Sequence, residues 1–103
     1  MTVLSQTRYL SLVRKELQQT MTKKQILEAI RKLPYNDKNQ ARLHYIEQKR
    51  RKAAIIYFTG TTIKISTIAK RFGLSATSIR FYLQNIVWSL RRENVIFFSF
   101  DLD

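Results

Sequence analysis

The 103-residue chain has no cysteine, one histidine, one proline and two glycines. Without cysteine there is no disulfide framework, no thiolate nucleophile and no cysteine-ligated zinc, and His44 alone cannot build a histidine metal cluster. No glycine-rich loop, paired carboxylates or Ser-His-Asp set stands out. No enzyme is therefore expected, no cofactor is implied and no small-molecule substrate suggests itself. Apolar runs are short as well. None approaches the roughly 18 residues that span a bilayer, and residues 1–20 lack the uninterrupted apolar stretch of a secretory signal, which points to a cytoplasmic protein. The hydrophobic fraction of 45% is ordinary for a folded chain, and the length fits a single domain over residues 1–103.

Acids are the other shortage: 7 Asp+Glu stand against 19 Lys+Arg, a formal charge of +12. The imbalance is local. Residues 48–92 carry Lys49, Arg50, Arg51, Lys52, Lys64, Lys70, Arg71, Arg80, Arg91 and Arg92 with no acid, while residues 93–103 hold three acids and no base. Self-repulsion at this density costs stability unless a polyanion neutralises it, releasing condensed counterions on contact. Nucleic acid is the first expectation for a partner and an anionic membrane surface the second.

What is present is helical periodicity. Leu10, Val13 and Leu17 recur at i, i+3, i+7, predicting a first helix that ends near Gln19 and Thr20. Thr22 three residues before Gln25 makes a capping box, with Met21 placed to staple onto Ile26; Ile26, Ile30 and Leu33 follow on one face until Pro34 stops the helix. These make the N-terminal unit of residues 1–35. Asn36 or Asp37 can cap a third helix in which Leu43, Ile46, Ala53, Ile56 and Tyr57 keep helical spacing, and Gly60 is expected to close it in a left-handed conformation. Thr61 to Ile65 reads as a short strand or extended link. Ser66 can cap a fourth helix, Gly73 supplies the positive φ that ends it, and Ser75 can cap a fifth, whose stripe Ile79, Tyr82, Leu83, Ile86, Val87 and Leu90 is complete at helical spacing.

Within residues 65–84, Ala69, Gly73 and Ile79 stand where a small residue, a turn glycine and a second-helix anchor belong, with Ile68, Leu74 and Tyr82 at further apolar positions. This segment resembles the helix-turn-helix of DNA-binding transcription regulators. More faintly, Met21 to Leu33, with Thr22, Gln25, Glu28, Ala29 and Ile30, is similar to the opening helix of plasmid repressors of the KorA (TrfB-related) type. The resemblance implies that residues 37–92 form the DNA-binding unit and that helix 76–91 lies in the major groove. Ala76, Thr77, Arg80, Phe81 and Gln84 then face bases. Arg80 suits guanine O6 and N7, Gln84 suits adenine, and Ala76 or the Thr77 methyl suits a thymine methyl. Lys64, Thr67, Lys70, Arg71 and Ser75 are the expected phosphate contacts.

Other features read two ways. Phe81 and Trp88, seven apart and off the apolar stripe, can touch DNA, join two protomers or pack on the N-terminal helices, with packing expected first; Lys49 to Lys52 reads as the wet side of a helix, with phosphate contact second. Residues 95–100, rich in β-prone apolar side chains, predict a short strand that pairs either with residues 61–65, as a truncated winged helix, or with a second copy. The expected fold is thus mainly α, about five helices containing a helix-turn-helix, with that C-terminal strand. The expected function is a sequence-specific, double-stranded-DNA-binding regulator, a dimeric repressor associated with the nucleoid and not with membrane. A packaging or replication accessory, an RNA-binding protein and a protein-interaction adaptor remain the alternatives.

Overall fold

The computed structural model describes residues 5–34 and 41–96, with side chains from 45 onward in the second stretch. Five helices occur among these residues: α1 Gln6–Thr20, α2 Lys23–Arg31, α3 Ala41–Thr59, α4 Ile65–Phe72 and α5 Ala76–Arg92. Local signals account for most boundaries. Ser5 caps α1 through a 3.2 Å bond from the Arg8 amide. The Thr22 hydroxyl accepts from the Gln25 amide at 3.1 Å while the Gln25 side chain accepts from the Thr22 amide at 2.8 Å, a reciprocal box that answers two amides with no helical partner. Ser75 caps α5 by accepting from the Ser78 amide.

The helices converge on one apolar core. It is built from Leu10, Val13 and Leu17 of α1, Ile26 and Ile30 of α2, Ala53, Ala54, Tyr57 and Phe58 of α3, Ile65, Ile68 and Ala69 of α4, and the α5 stripe Ile79, Leu83, Ile86, Val87 and Leu90. α3 and α5 share the most extensive packing, and α4 is held against both. Small Ala53 and Ala54, fully buried on α3, leave room for that approach.

Several expectations need correction. No strand occurs among the described residues: Thr61 and Thr62 form a bend, and Ile65 opens α4 instead of closing a strand. With no neighbouring strand to bond, Ile65 is buried in the core and Ile63 is half-buried against it, while the Lys64 carbonyl accepts from Thr67 and Ile68. The α4 cap position is accordingly Lys64, with no side-chain capping bond, and not Ser66. Gly60 does not adopt a positive φ. The Gln18 side chain of α1 donates instead to the carbonyls of Phe58 and Gly60, at 2.9 and 2.8 Å, satisfying the end of α3 from outside. Glycine is needed there for close approach, since a Cβ at residue 60 would lie 2.7 Å from Ile63 Cγ2 and 2.8 Å from the Ile56 carbonyl oxygen. Gly73 does sit in the left-handed region, at φ 64°, where the Leu74 amide reaches back to the Ala69 carbonyl. Asn94 ends α5 in the same manner at φ 57°, and Ile96 turns back into the core. Residues 97–100 of the expected strand, the Asn36 or Asp37 cap, and the side chains of Leu43 and His44 lie outside the described residues.

The run Lys49 to Lys52 is not uniformly wet. Arg51 is buried at 5% exposure, its guanidinium donating to the carbonyls of Ile30 and Arg31 at 3.0 Å and of Pro34 at 3.2 Å, and to Glu47 at 3.2 Å. These carbonyls lie at and just beyond the end of α2, where Pro34 has no amide to continue the helix. Replacing Arg51 with Met should therefore lower stability by about 3 to 5 kcal/mol in urea titration, since it takes the guanidinium away from the Arg31 and Pro34 carbonyls, leaves the Ile30 carbonyl with the Leu33 amide alone, and breaks half of the Glu47 pairing. A cost below about 1 kcal/mol would show that water replaces the guanidinium at no penalty.

Candidate nucleic-acid interface

α4, the turn at residues 73–75 and the first turns of α5 form a corner in which the two helices pack on each other. On α4, Ile65, Ile68 and Ala69 point into the core, so helical geometry turns Ser66, Thr67, Lys70 and Arg71 to solvent. On α5 the inner stripe directs Thr77, Phe81 and Trp88 outward, with Arg80 and Gln84 half-buried at its margin. The aromatic pair is not buried by packing on other helices: Phe81 is 60% exposed and Trp88 51%, and neither belongs to the core.

Two clefts flank α4. The first is bordered by Thr7, Ser11 and Arg14 of α1, Tyr57 of α3, Thr62 to Lys64 of the link, Ile65 and Ser66 of α4, and Ala76 and Arg80 of α5. It brings Lys64, Ala76 and Arg80, three residues singled out in the sequence, beside one that was not. Arg14 lies 4.2 Å over the Tyr57 ring and donates to the Ile63 carbonyl at 2.9 Å, which fixes the guanidinium and the link together. Its one signal in the sequence is its place beside Val13, at the edge of the α1 stripe. The second cleft, on the other side of α4, is lined by Tyr45, Gln48, Lys49, Lys52, Arg71 and Phe72. Neither lining contains an acid.

No family model, curated protein or solved structure matches the chain. The site must be judged on its chemistry. Thr67, Lys70 and Arg71 are exposed and adjacent on α4, suited to anionic oxygens. Ser75 is exposed, but its hydroxyl already accepts from the Ser78 amide and donates to Ser78 Oγ at 3.0 Å, so its first role is to hold the start of α5. Arg80 Nη2 donates to Thr77 Oγ1 at 3.1 Å, steadying the guanidinium while leaving its other donors available. No group of three or more metal-ligating side chains occurs among the described residues, and none of their helices is long and apolar enough to cross a membrane.

Burial raises the Tyr57 phenol above the ordinary tyrosine range, with Arg14 pulling the other way. An unfolded chain therefore loses this proton at lower pH than the folded one. Its contribution to stability is complete below about pH 10 and is lost as pH rises through the raised folded value. Tyr57→Phe should make the alkaline fall in stability shallower, read from denaturant midpoints between pH 9 and pH 11; an unchanged fall would place the alkaline sensitivity elsewhere. The corner itself depends on Ala69, 5% exposed beneath the turn. Ala69→Leu should cost about 1 to 3 kcal/mol by overpacking. An unaltered melting temperature would mean that α4 and α5 do not press together there.

Proposed function

We propose that the protein is a sequence-specific regulator of transcription that binds double-stranded DNA, with α4, the turn and α5 acting as a helix-turn-helix. What supports this reading above all is an exposed, acid-free set of cations on α4 and its flanking clefts, next to an α5 whose outer face offers hydrogen-bonding and apolar groups. Phosphates call for the first kind of surface and base edges for the second. Thr67, Lys70, Arg71 and Lys64 hold the backbone; Ala76, Thr77, Arg80, Phe81 and Gln84 read bases, with Arg80 paired to guanine. The regulator acts as a homodimeric repressor, since two recognition helices are needed to read the halves of a palindromic operator.

A regulator in this sense must prefer one operator far above random duplex, whereas a packaging or replication accessory need not, an RNA-binding protein prefers RNA at equal salt, and an adaptor binds neither. Selection of bound fragments from random duplex DNA decides among them. With about 6 phosphates neutralised per protomer, log affinity should fall against log salt with a slope near −5 per protomer, and a flat dependence would refute nucleic-acid binding. On the selected operator, Arg80→Ala should cost about 1 to 3 kcal/mol while hardly affecting scrambled DNA, because a base contact is lost only where the right base is present. Lys70→Ala should weaken both duplexes alike and reduce the salt slope by about 1. The reverse pattern, with Lys70 carrying the preference, would exchange the reading and holding sides.

A further inference from the structure

The second cleft has no part in the helix-turn-helix resemblance apart from Arg71 and Phe72, yet its lining is as free of acids as that of the first. We propose that the cleft between α3 and α4 is a second seat for the duplex, in which Lys49, Lys52 and Arg71 grip phosphodiester groups adjoining the segment that α5 reads. This rests on the DNA-binding reading above and widens its footprint onto α3.

α3 distributes its charges by face. Its inward cations are matched: Glu47 turns toward the core and binds Arg50 at 3.0 Å and Arg51 at 3.2 Å. Its outward cations are not. Lys49 and Lys52, three residues apart on the opposite face, form no ion pair with an acid among the described residues, and Arg71 is brought toward them from α4. Three cations gathered in one concavity repel one another, and an anion relieves that repulsion. Lys49 is also partly ordered before any partner arrives, with its Nζ 5.0 Å over the ring of Tyr45, itself 60% exposed. Phe72 contributes an apolar wall along which lysine stems can lie. A duplex is the occupant these features favour, because Arg71 belongs at once to this cleft and to the exposed face of α4, so a backbone held by Lys70 and Arg71 has Lys49 and Lys52 next in line.

The test compares wild type with Lys49→Gln/Lys52→Gln, and with Lys23→Gln/Lys24→Gln on α2, a helix packed on α1, α3 and α5, as a control for total charge. Affinity for the selected operator and for random duplex is measured across salt concentrations, with melting curves to confirm folding. Losing two phosphate contacts should reduce the salt slope by about 1.8 and weaken both duplexes by up to about 60-fold at 0.1 M salt, while the α2 variant changes far less. Lys49→Arg/Lys52→Arg should restore both. If the cleft and α2 variants behave alike, the wild type still binding, the cleft is no contact and this proposal falls alone. If the wild type shows no salt-dependent binding at all, the DNA-binding reading falls and takes this one with it.

Discussion

The guanidinium of Arg51 is the interaction on which the rest of the arrangement depends. A buried cation costs several kcal/mol unless its donors are matched, and the chain leaving α2 toward Pro34 presents carbonyls at Ile30, Arg31 and Pro34, of which Ile30 alone also takes a backbone amide, from Leu33. Each solves the other's problem. Three carbonyls from residues 30–34 and the Glu47 carboxylate surround the guanidinium, joining α2 to α3 across some twenty residues of sequence. Because α3 packs on α4 and α5 as well as on α2, the placement of the exposed corner descends from this polar knot as much as from the apolar core.

α5 shows how the core and the surface constrain one another. Its inner stripe is so complete that the orientation of the helix about its own axis is settled, and with it the identity of every outward residue. The outer face that results carries little charge beyond Arg80 until Arg92 in its last turn, Arg91 turning to the Tyr9 hydroxyl of α1, while the cations concentrate on α4 and in the clefts on either side. Under the proposed function, this divides holding from reading between two helices joined by a turn of fixed geometry, with Gly73 permitting the reversal and Ser75 anchoring the helix that follows.

Legibility in the sequence followed the distance between interacting residues. The capping box at Thr22 and Gln25, the stop at Pro34, the turn at Gly73 and the cap at Ser75 all depend on partners within a few residues, and the α5 stripe depends on a period. Such features are written locally. Gln18 and Arg14 act across 40 to 49 residues, and Arg51 across 17 to 21, so nothing near them announces their partners. Gly60 misled for a related reason: glycine after a helix suggests a left-handed cap, but here a distant amide caps the helix and the missing Cβ serves close packing with Ile63. In α3 the apolar period alone hid the inner face. Glu47, Arg50 and Arg51 lie on the same side as Ala54, Tyr57 and Phe58, so polar residues occupy positions that a purely hydrophobic reading assigns to solvent. Within the candidate site, the outward placement of Thr67, Lys70, Arg71, Thr77 and Phe81 was legible because it is the complement of the apolar faces, whereas the two clefts arise only when separate helices meet.

The four basic residues Lys49, Arg50, Arg51 and Lys52 make the same point chemically. A helix turns each successive residue by about 100°, so an unbroken basic run cannot face one way; it must split. It splits by residue type. The arginines face inward, where a planar fork of donors can meet several fixed acceptors at once or lie over an aromatic ring, as Arg51 does with the carbonyls and Arg50 does at 5.8 Å from the Tyr82 ring. The lysines face outward, where a compact, strongly hydrated charge on a flexible stem reaches water, Lys49 lying also 5.0 Å from the Tyr45 ring. Exchanging the types would harm the inner side, because an inward ammonium cannot span the separate carbonyls that close α2. One short basic run thus supplies structural cations to the interior and unmatched cations to the surface, and the helical period alone determines which is which.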